Sequence, residues 1–195
     1  VAIDDLPVDV WSGAVAAAVC ARSAGAPDSL WRTADAEMDA RIPSPAAMHS
    51  SRERGGRLLD AAMDVIMAPA FDAIGRAGAS AGRAPHYPVV VGAVAAAAES
   101  GPRDAAEAAA FAYVAGPAFD AGRILDLDRQ VIVDLGTWLA PDVRRLATEA
   151  AATCLRPLAQ LPSFGAPALE FLAQAGAGDG PAGGRREGAG VRGPA

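Results

Sequence analysis

Apolar positions recur at helical spacing from Asp9 to about Ala24, and the pattern stops at Gly25 and Pro27, which are ordinary helix terminators. Asp28 and Ser29 open a second run through about Ala40, and the Pro43-Ser44-Pro45 break separates it from a third that ends near Met67, before Pro69. A short helical piece at 71–75 leads into a mobile loop rich in glycine and serine at 78–83. Pro88 to Ala98 mixes Val89, Val90 and Val91, which favour a strand, with Ala95 to Ala98, which favour a helix. No convincing strand partner occurs elsewhere, so a helix opened by proline in its first turn is expected. Gly101-Pro102 ends that helix and opens the next, in which Ala108, Phe111, Ala115, Ala118 and Gly122 form a close-packing stripe and Pro117 kinks or splits the rod. Helix continues from Leu125 to Leu139 with Asp128 as a cap, and Pro141-Asp142 opens another through about Arg156. A last short apolar stretch spans 166–172. The prediction is an all-α, single-domain helical bundle over residues 1–174, followed by a disordered tail at 175–195 whose glycine, proline, alanine and arginine cannot bury enough surface to offset chain entropy.

One segment departs from the alanine-rich text. After the Pro43 break, the third helix carries Gly55 and Gly56 in its interior, each about 1 kcal/mol less favourable than alanine. At 100° per residue, Met48, Ser51, Gly55, Leu58, Leu59, Ala62 and Ile66 share one face, with Met48 at its centre, while His49, Glu53, Arg54, Arg57, Asp60 and Asp64 lie opposite. The packed face is small at Ser51 and Gly55, which allows another backbone to approach closely there. Arg54 and Arg57 read as a solvated face, with Glu53 and Arg57 paired at i,i+4, whereas Arg52 sits at the edge of the apolar stripe.

Composition narrows the class. About half of the 195 residues are apolar but only 5% are aromatic, so thin side chains favour helix-on-helix packing over a β-sandwich. All 17 basic residues are arginine, a sign of coding bias, and the net charge of −6 argues against nucleic acid as a partner. Cys20 and Cys154 stand alone and read as buried free thiols. The longest apolar run is far short of the roughly 20 residues of a membrane span, and no signal peptide opens the chain, so a cytoplasmic protein is expected.

Chemistry is hard to find. His49 and His86 lie at no metal-ligand spacing; His49 falls on a polar face and His86 at a helix start, where it caps or packs. No G-x-S-x-G elbow, Walker A loop or G-x-G-x-x-G is present. The acidic groups Asp35, Glu37 and Asp39, and Asp126 with Asp128, read as helix-start charges or solvated faces. Neither a catalytic residue nor a metal site is expected, and the chain is read as a non-enzyme.

Asp35-x-Glu37-x-Asp39-Ala40-Arg41-x-Pro43-x-Pro45-Ala46-Ala47, then His49-x-Ser51-Arg52 and Gly55, resembles the actinobacterial branch of the urease accessory protein F (UreF) family. Pro85-His86-x-x-Val89-Val90-x-Gly92, Gly116, Ala121-x-Arg123-x-Leu125-x-Leu127-Asp128 and Leu139-Ala140-Pro141 follow in the family's order, so the resemblance covers about residues 12–174. It implies an all-α, non-catalytic scaffold that binds the GTPase UreG and the accessory protein D/H, delivers nickel to apo-urease and forms a homodimer. Nickel is then handled by the assembled complex, with no intrinsic cofactor. Ser51, Arg52, Gly55, His86, Gly92, Gly116 and Arg123 are the family-motif or interface positions the resemblance carries over; for Ser51, Gly55 and Arg123 the bland alternative is helix packing, with Arg123 a partner for a helix dipole. Relative to the family the chain lacks an N-terminal segment, which would leave an apolar face uncovered. Met48 stands where the family commonly has arginine, and the tail is unlike the family's ordered C-terminus. From the alanine-rich bundle alone, a generic helical regulatory or small-ligand-binding domain with a closed apolar pocket is the alternative; an enzyme using His86 is a third.

Overall fold

The computed structural model of the chain describes residues 8–42, 45–126 and 128–160. Among them run α1 (Val8–Arg22), α2 (Asp28–Arg41), α3 (Pro45–Val65), α4 (Pro69–Ala81), α5 (Tyr87–Ala97), α6 (Pro102–Ile124) and α7 (Arg129–Ala152), then one 3-10 turn, Leu158–Gln160. No strand occurs among the described residues, as expected of an all-α chain. The tail at 175–195 and the apolar stretch at 166–172 lie outside the described residues.

The first helix is the centre of the bundle. Every residue from Ser12 to Cys20 is buried, because this run has no polar face to offer water. It packs on α5, α6 and α7, while α3 lies on α5 and α2 lies on α4. Alanines and two glycines allow close approach: a Cβ on Gly92 would run into the Ala16 carbonyl and sit 2.8 Å from Val19 Cβ, so α5 crosses α1 at a point where no side chain fits. The main core joins Val15, Val19, Trp31, Met38, Leu59, Phe71, Ile74 and Val90.

Several expectations are corrected. The fourth helix is no short piece followed by a loop at 78–83; it runs to Ala81 and ends at Gly82, whose φ of 65° makes the left-handed cap, with Arg83 N–H donating to Gly78 O at 3.1 Å. Position 78, inside the helix, takes a glycine because the Arg83 carbonyl passes 2.9 Å from where a Cβ would be. Helix α6 continues through Pro117, and α7 continues through Pro141 as one element instead of two. Burial against neighbouring helices outweighs the single hydrogen bond each proline removes. Asp128 does cap α7, its carboxylate accepting from Gln130 N–H at 2.8 Å.

The stripe expected on α6 is rotated. Ala105, Ala106, Ala109 and Ala110 are the buried residues, whereas Ala108 and Phe111 are exposed. Gly122 is buried beside the Ile132 side chain, and the side chains of Ala115 and Ala118 lie outside the described residues. Met48 is only half-buried, while Gly55, Leu59 and Ala62 supply the buried face of α3. An apolar stripe is left uncovered on α7: Val131, Leu135 and Trp138 follow one another at i, i+4, i+7, Trp138 being 71% exposed, while Phe111 of α6 lies against Gly136 on another side of the helix. Among the described residues no helix is long and apolar enough to cross a membrane.

Candidate functional site

The α4–α5 connection brings Arg83 and His86 to Asp35 and Asp39 of α2 and passes over α3 at Gly55. Gly55 makes the crossing fit. A Cβ there would collide with the Pro85 carbonyl and lie 2.8 Å from both His86 C and Tyr87 N, which are backbone atoms that cannot swing away. The connection therefore lies directly on the α3 backbone, and His86 enters the bundle one turn from Ser51.

His86 is fully buried, and every polar atom it presents is engaged. Its Nδ1 lies 3.0 Å from Ser51 Oγ and its Nε2 3.0 Å from Asp39 Oδ1, while its backbone N–H donates to Asp35 Oδ1 at 2.9 Å. A carboxylate only accepts, so Nε2 carries the proton and Nδ1 accepts from the Ser51 hydroxyl. Ser51 Oγ in turn faces the Tyr87 N–H at 3.4 Å.

Two arginines close the group. Arg52 donates from Nη2 to Asp35 Oδ2 at 3.0 Å and to Asp39 Oδ1 at 2.6 Å, and from Nη1 to the Ala84 carbonyl. Arg83 meets Asp39 Oδ2 at 2.6 Å. Charges balance, two carboxylates against two guanidiniums, around a neutral imidazole. Burial pushes the His86 pKa below its ordinary value, helped by the Arg52 charge and opposed by the hydrogen bond to Asp39. For Asp39, burial alone would raise the pKa, but hydrogen bonds from Arg52 and His86 and the two arginine charges bring it below the usual carboxylate value.

Chemically, this arrangement is a clasp. It ties α2, α3 and the start of α5 through one set of partly buried ion pairs, with Arg83 its exposed member, and both ring nitrogens of His86 are engaged within the protein. His86 packs without capping, since its side chain makes no cap hydrogen bond to α5. Among the described residues no group of three or more His, Cys, Asp or Glu side chains could hold a metal ion.

Of the residues singled out from sequence, Ser51, Arg52, Gly55 and His86 come together here. Gly92 lies elsewhere, at the crossing of α5 with α1. Gly116 and Arg123 belong to α6, and the Arg123 side chain lies outside the described residues. Asp35 and Asp39 were read as solvated charges and are instead the centre of the clasp. Their i,i+4 spacing was the available signal, because two like charges on one helix face call for a cation between them. Arg83 was hidden in the supposed loop. Arg54, assigned to the solvated face, lies over the Tyr87 ring at 4.3 Å and donates to the Ala112 carbonyl at 3.3 Å, while Arg57 does pair with Glu53 in solvent at 2.6 Å. Cys20 is buried as expected, and Cys154 is half-buried.

Comparison with known proteins gives one family. The family model for UreF matches residues 10–133. A urease accessory protein UreF from Mycobacterium sp. (strain JLS) is 38% identical over 128 residues, 64% of this chain and 57% of the relative. One from Mycolicibacterium vanbaalenii is 31% identical over 165 residues, 84% of this chain and 71% of the relative. A third, from Mycobacterium tuberculosis (strain ATCC 25618 / H37Rv), is 32% identical over 141 residues, 72% of this chain and 60% of the relative. The chain thus spans between 57% and 71% of the length of these relatives. No solved structure matches.

Proposed function

This chain belongs to the UreF family of urease accessory proteins, and we propose that it works as a non-catalytic scaffold in the cytoplasm. In this reading it binds the urease GTPase UreG and the accessory protein D/H, either as a monomer or as a homodimer, and supports nickel insertion into apo-urease. Nickel is cargo of the assembled complex, and the chain supplies no cofactor of its own. The observation that carries the reading is the uncovered apolar stripe of α7 at Val131, Leu135 and Trp138. Exposed apolar side chains in a row mark contact surfaces, and a large aromatic among them is the usual anchor. The clasp serves the same purpose indirectly, since it fixes α2, α3 and α5 as one body.

Co-purification tests it. The tagged full chain is expected to retain UreG and accessory protein D/H together, and a Trp138→Ser, Leu135→Ser double variant to retain neither while keeping its helical circular dichroism. A folded, soluble parent chain that captures neither protein would sink the scaffold reading.

A further inference from the structure

Val131, Leu135 and Trp138 form a row two turns long on α7, about 10 Å from end to end at about 1.5 Å per residue. Helical spacing puts four carboxylates on the same side of the helix, with Asp128 before the row, Asp134 beside it, and Asp142 and Glu149 along its continuation. Asp128, Asp134 and Glu149 are exposed, and the Asp142 side chain keeps 40% of its surface in solvent.

One guanidinium stands against them. Arg145 meets Asp142 at 3.8 Å and Glu149 at 3.1 Å. Asp134 accepts from the Gln130 side-chain amide at 2.8 Å and Asp128 from the Gln130 N–H, neutral groups that leave both charges in place. Arg129 and Arg144 fall on the other side of α7, about 150° round from the row. The side that carries the row is therefore apolar over two turns and acidic before, beside and after them.

Such a surface selects what can land on it. Two copies packed α7 to α7, in either direction, would set acid against acid. Nucleic acid meets the same objection. A helix matches it, since apolar residues recurring every three or four positions interlock with a row of that spacing, and basic residues beside them answer the carboxylates. We propose that α7 docks an amphipathic helix of a partner protein, whose apolar ridge lies on Val131, Leu135 and Trp138 and whose flanks carry arginine or lysine toward Asp134, Asp142 and Glu149. This rests on the reading of the row as a contact surface and adds the chemistry of its occupant. The ridge supplies affinity, and the charges govern encounter and choice of partner.

Two synthetic helical peptides without tryptophan, sharing one leucine ridge, would be titrated into the isotope-labelled full chain; one carries arginine at the flanking positions, the other glutamate. The Trp138 indole N–H signal, assigned by its loss in Trp138→Phe, reports binding at the row. The arginine peptide is expected to move it saturably and to bind about tenfold more tightly than the glutamate peptide at low salt, an advantage that shrinks as salt screens the exposed pairs. An Asp134→Arg, Glu149→Arg double variant that keeps its helical circular dichroism should lose the preference, and Leu135→Ser should weaken both peptides alike. The inference is overturned if the arginine peptide leaves the Trp138 signal still, if the parent binds both peptides equally at low salt, or if the preference survives in the double variant. A chain that retains UreG and accessory protein D/H yet treats the peptides alike keeps the scaffold reading and loses this one. A chain that prefers the arginine peptide yet captures neither protein does the reverse.

Discussion

At Gly55 a helix accepts a local penalty so that a backbone can lie against it, and the geometry says how hard that requirement is. Alanine there would meet the backbone at 2.8 Å, and neither atom can rotate away. Gly55→Ala is therefore expected to destabilise the fold by about 1–3 kcal/mol, despite its better helix propensity. Gly75→Ala on α4, where nothing lies within 4 Å, is expected to stabilise by about 0.5–1 kcal/mol. Thermal unfolding of the two variants checks the pair, and opposite signs are required. The arginines divide in the same way. Removing Arg52, whose side chain is 12% exposed, takes the close cation from Asp35 and leaves Asp39 to Arg83 alone, so Arg52→Ala is expected to cost about 3 kcal/mol. Arg57→Ala, at a 77% exposed pair, should change stability by no more than about 0.5 kcal/mol. Urea titration of both would show whether the clasp is the stronger tie. Gly55 was legible in the sequence because a glycine in a helix of alanines needs a reason. Asp35, Asp39 and Arg83 were not, because their partners come from three elements whose meeting no local pattern encodes.

At the scale of elements, periodicity gave the order and type of every helix from α1 to α5 and the cap at Asp128. It misjudged continuity wherever proline or glycine occurred. Gly78 and Pro141 both lie inside helices, since what decides is whether neighbouring elements supply enough burial to hold the turn. Pro141 still removes one backbone hydrogen bond from α7. Pro141→Ala is expected to raise stability by about 1–2 kcal/mol, part of the recovered bond being lost to a freer unfolded chain. An unchanged or lowered denaturation midpoint would mean that the proline itself is needed for the packing of α7 on α1 and α6.

At the scale of the molecule, the clasp couples three elements to pH. His86 has a folded pKa below its ordinary value of 6.5, so the unfolded chain takes up a proton first and stability falls as pH drops from about 7 through that value. Asp39, lowered from 3.8, adds stability that is present above that value and is lost as pH falls below it. Stability is thus expected to decline in two stages, and His86→Gln should flatten the first stage while the second, which Arg52 also sustains, persists. Denaturant titrations from pH 7.5 to pH 3 would read both slopes, and an equal upper slope in the variant would place the titration elsewhere.

The sequence by itself determined that this chain is helical, where most helices start, that one of them must be approached closely at Gly55, and which family the motif order resembles. The first three follow from short-range rules, namely period, propensity, caps and the missing Cβ of glycine, while the resemblance rests on the order of the motifs. Only the tertiary structure decided that α1 is the buried centre, that acids read as solvated charges join Arg52 and Arg83 in a clasp around a neutral histidine, and that the Trp31 indole N–H is buried without an acceptor among the described residues. Such features depend on which distant segments share a small volume, and their energies arise from removing water around several groups at once, which no single stretch of sequence records.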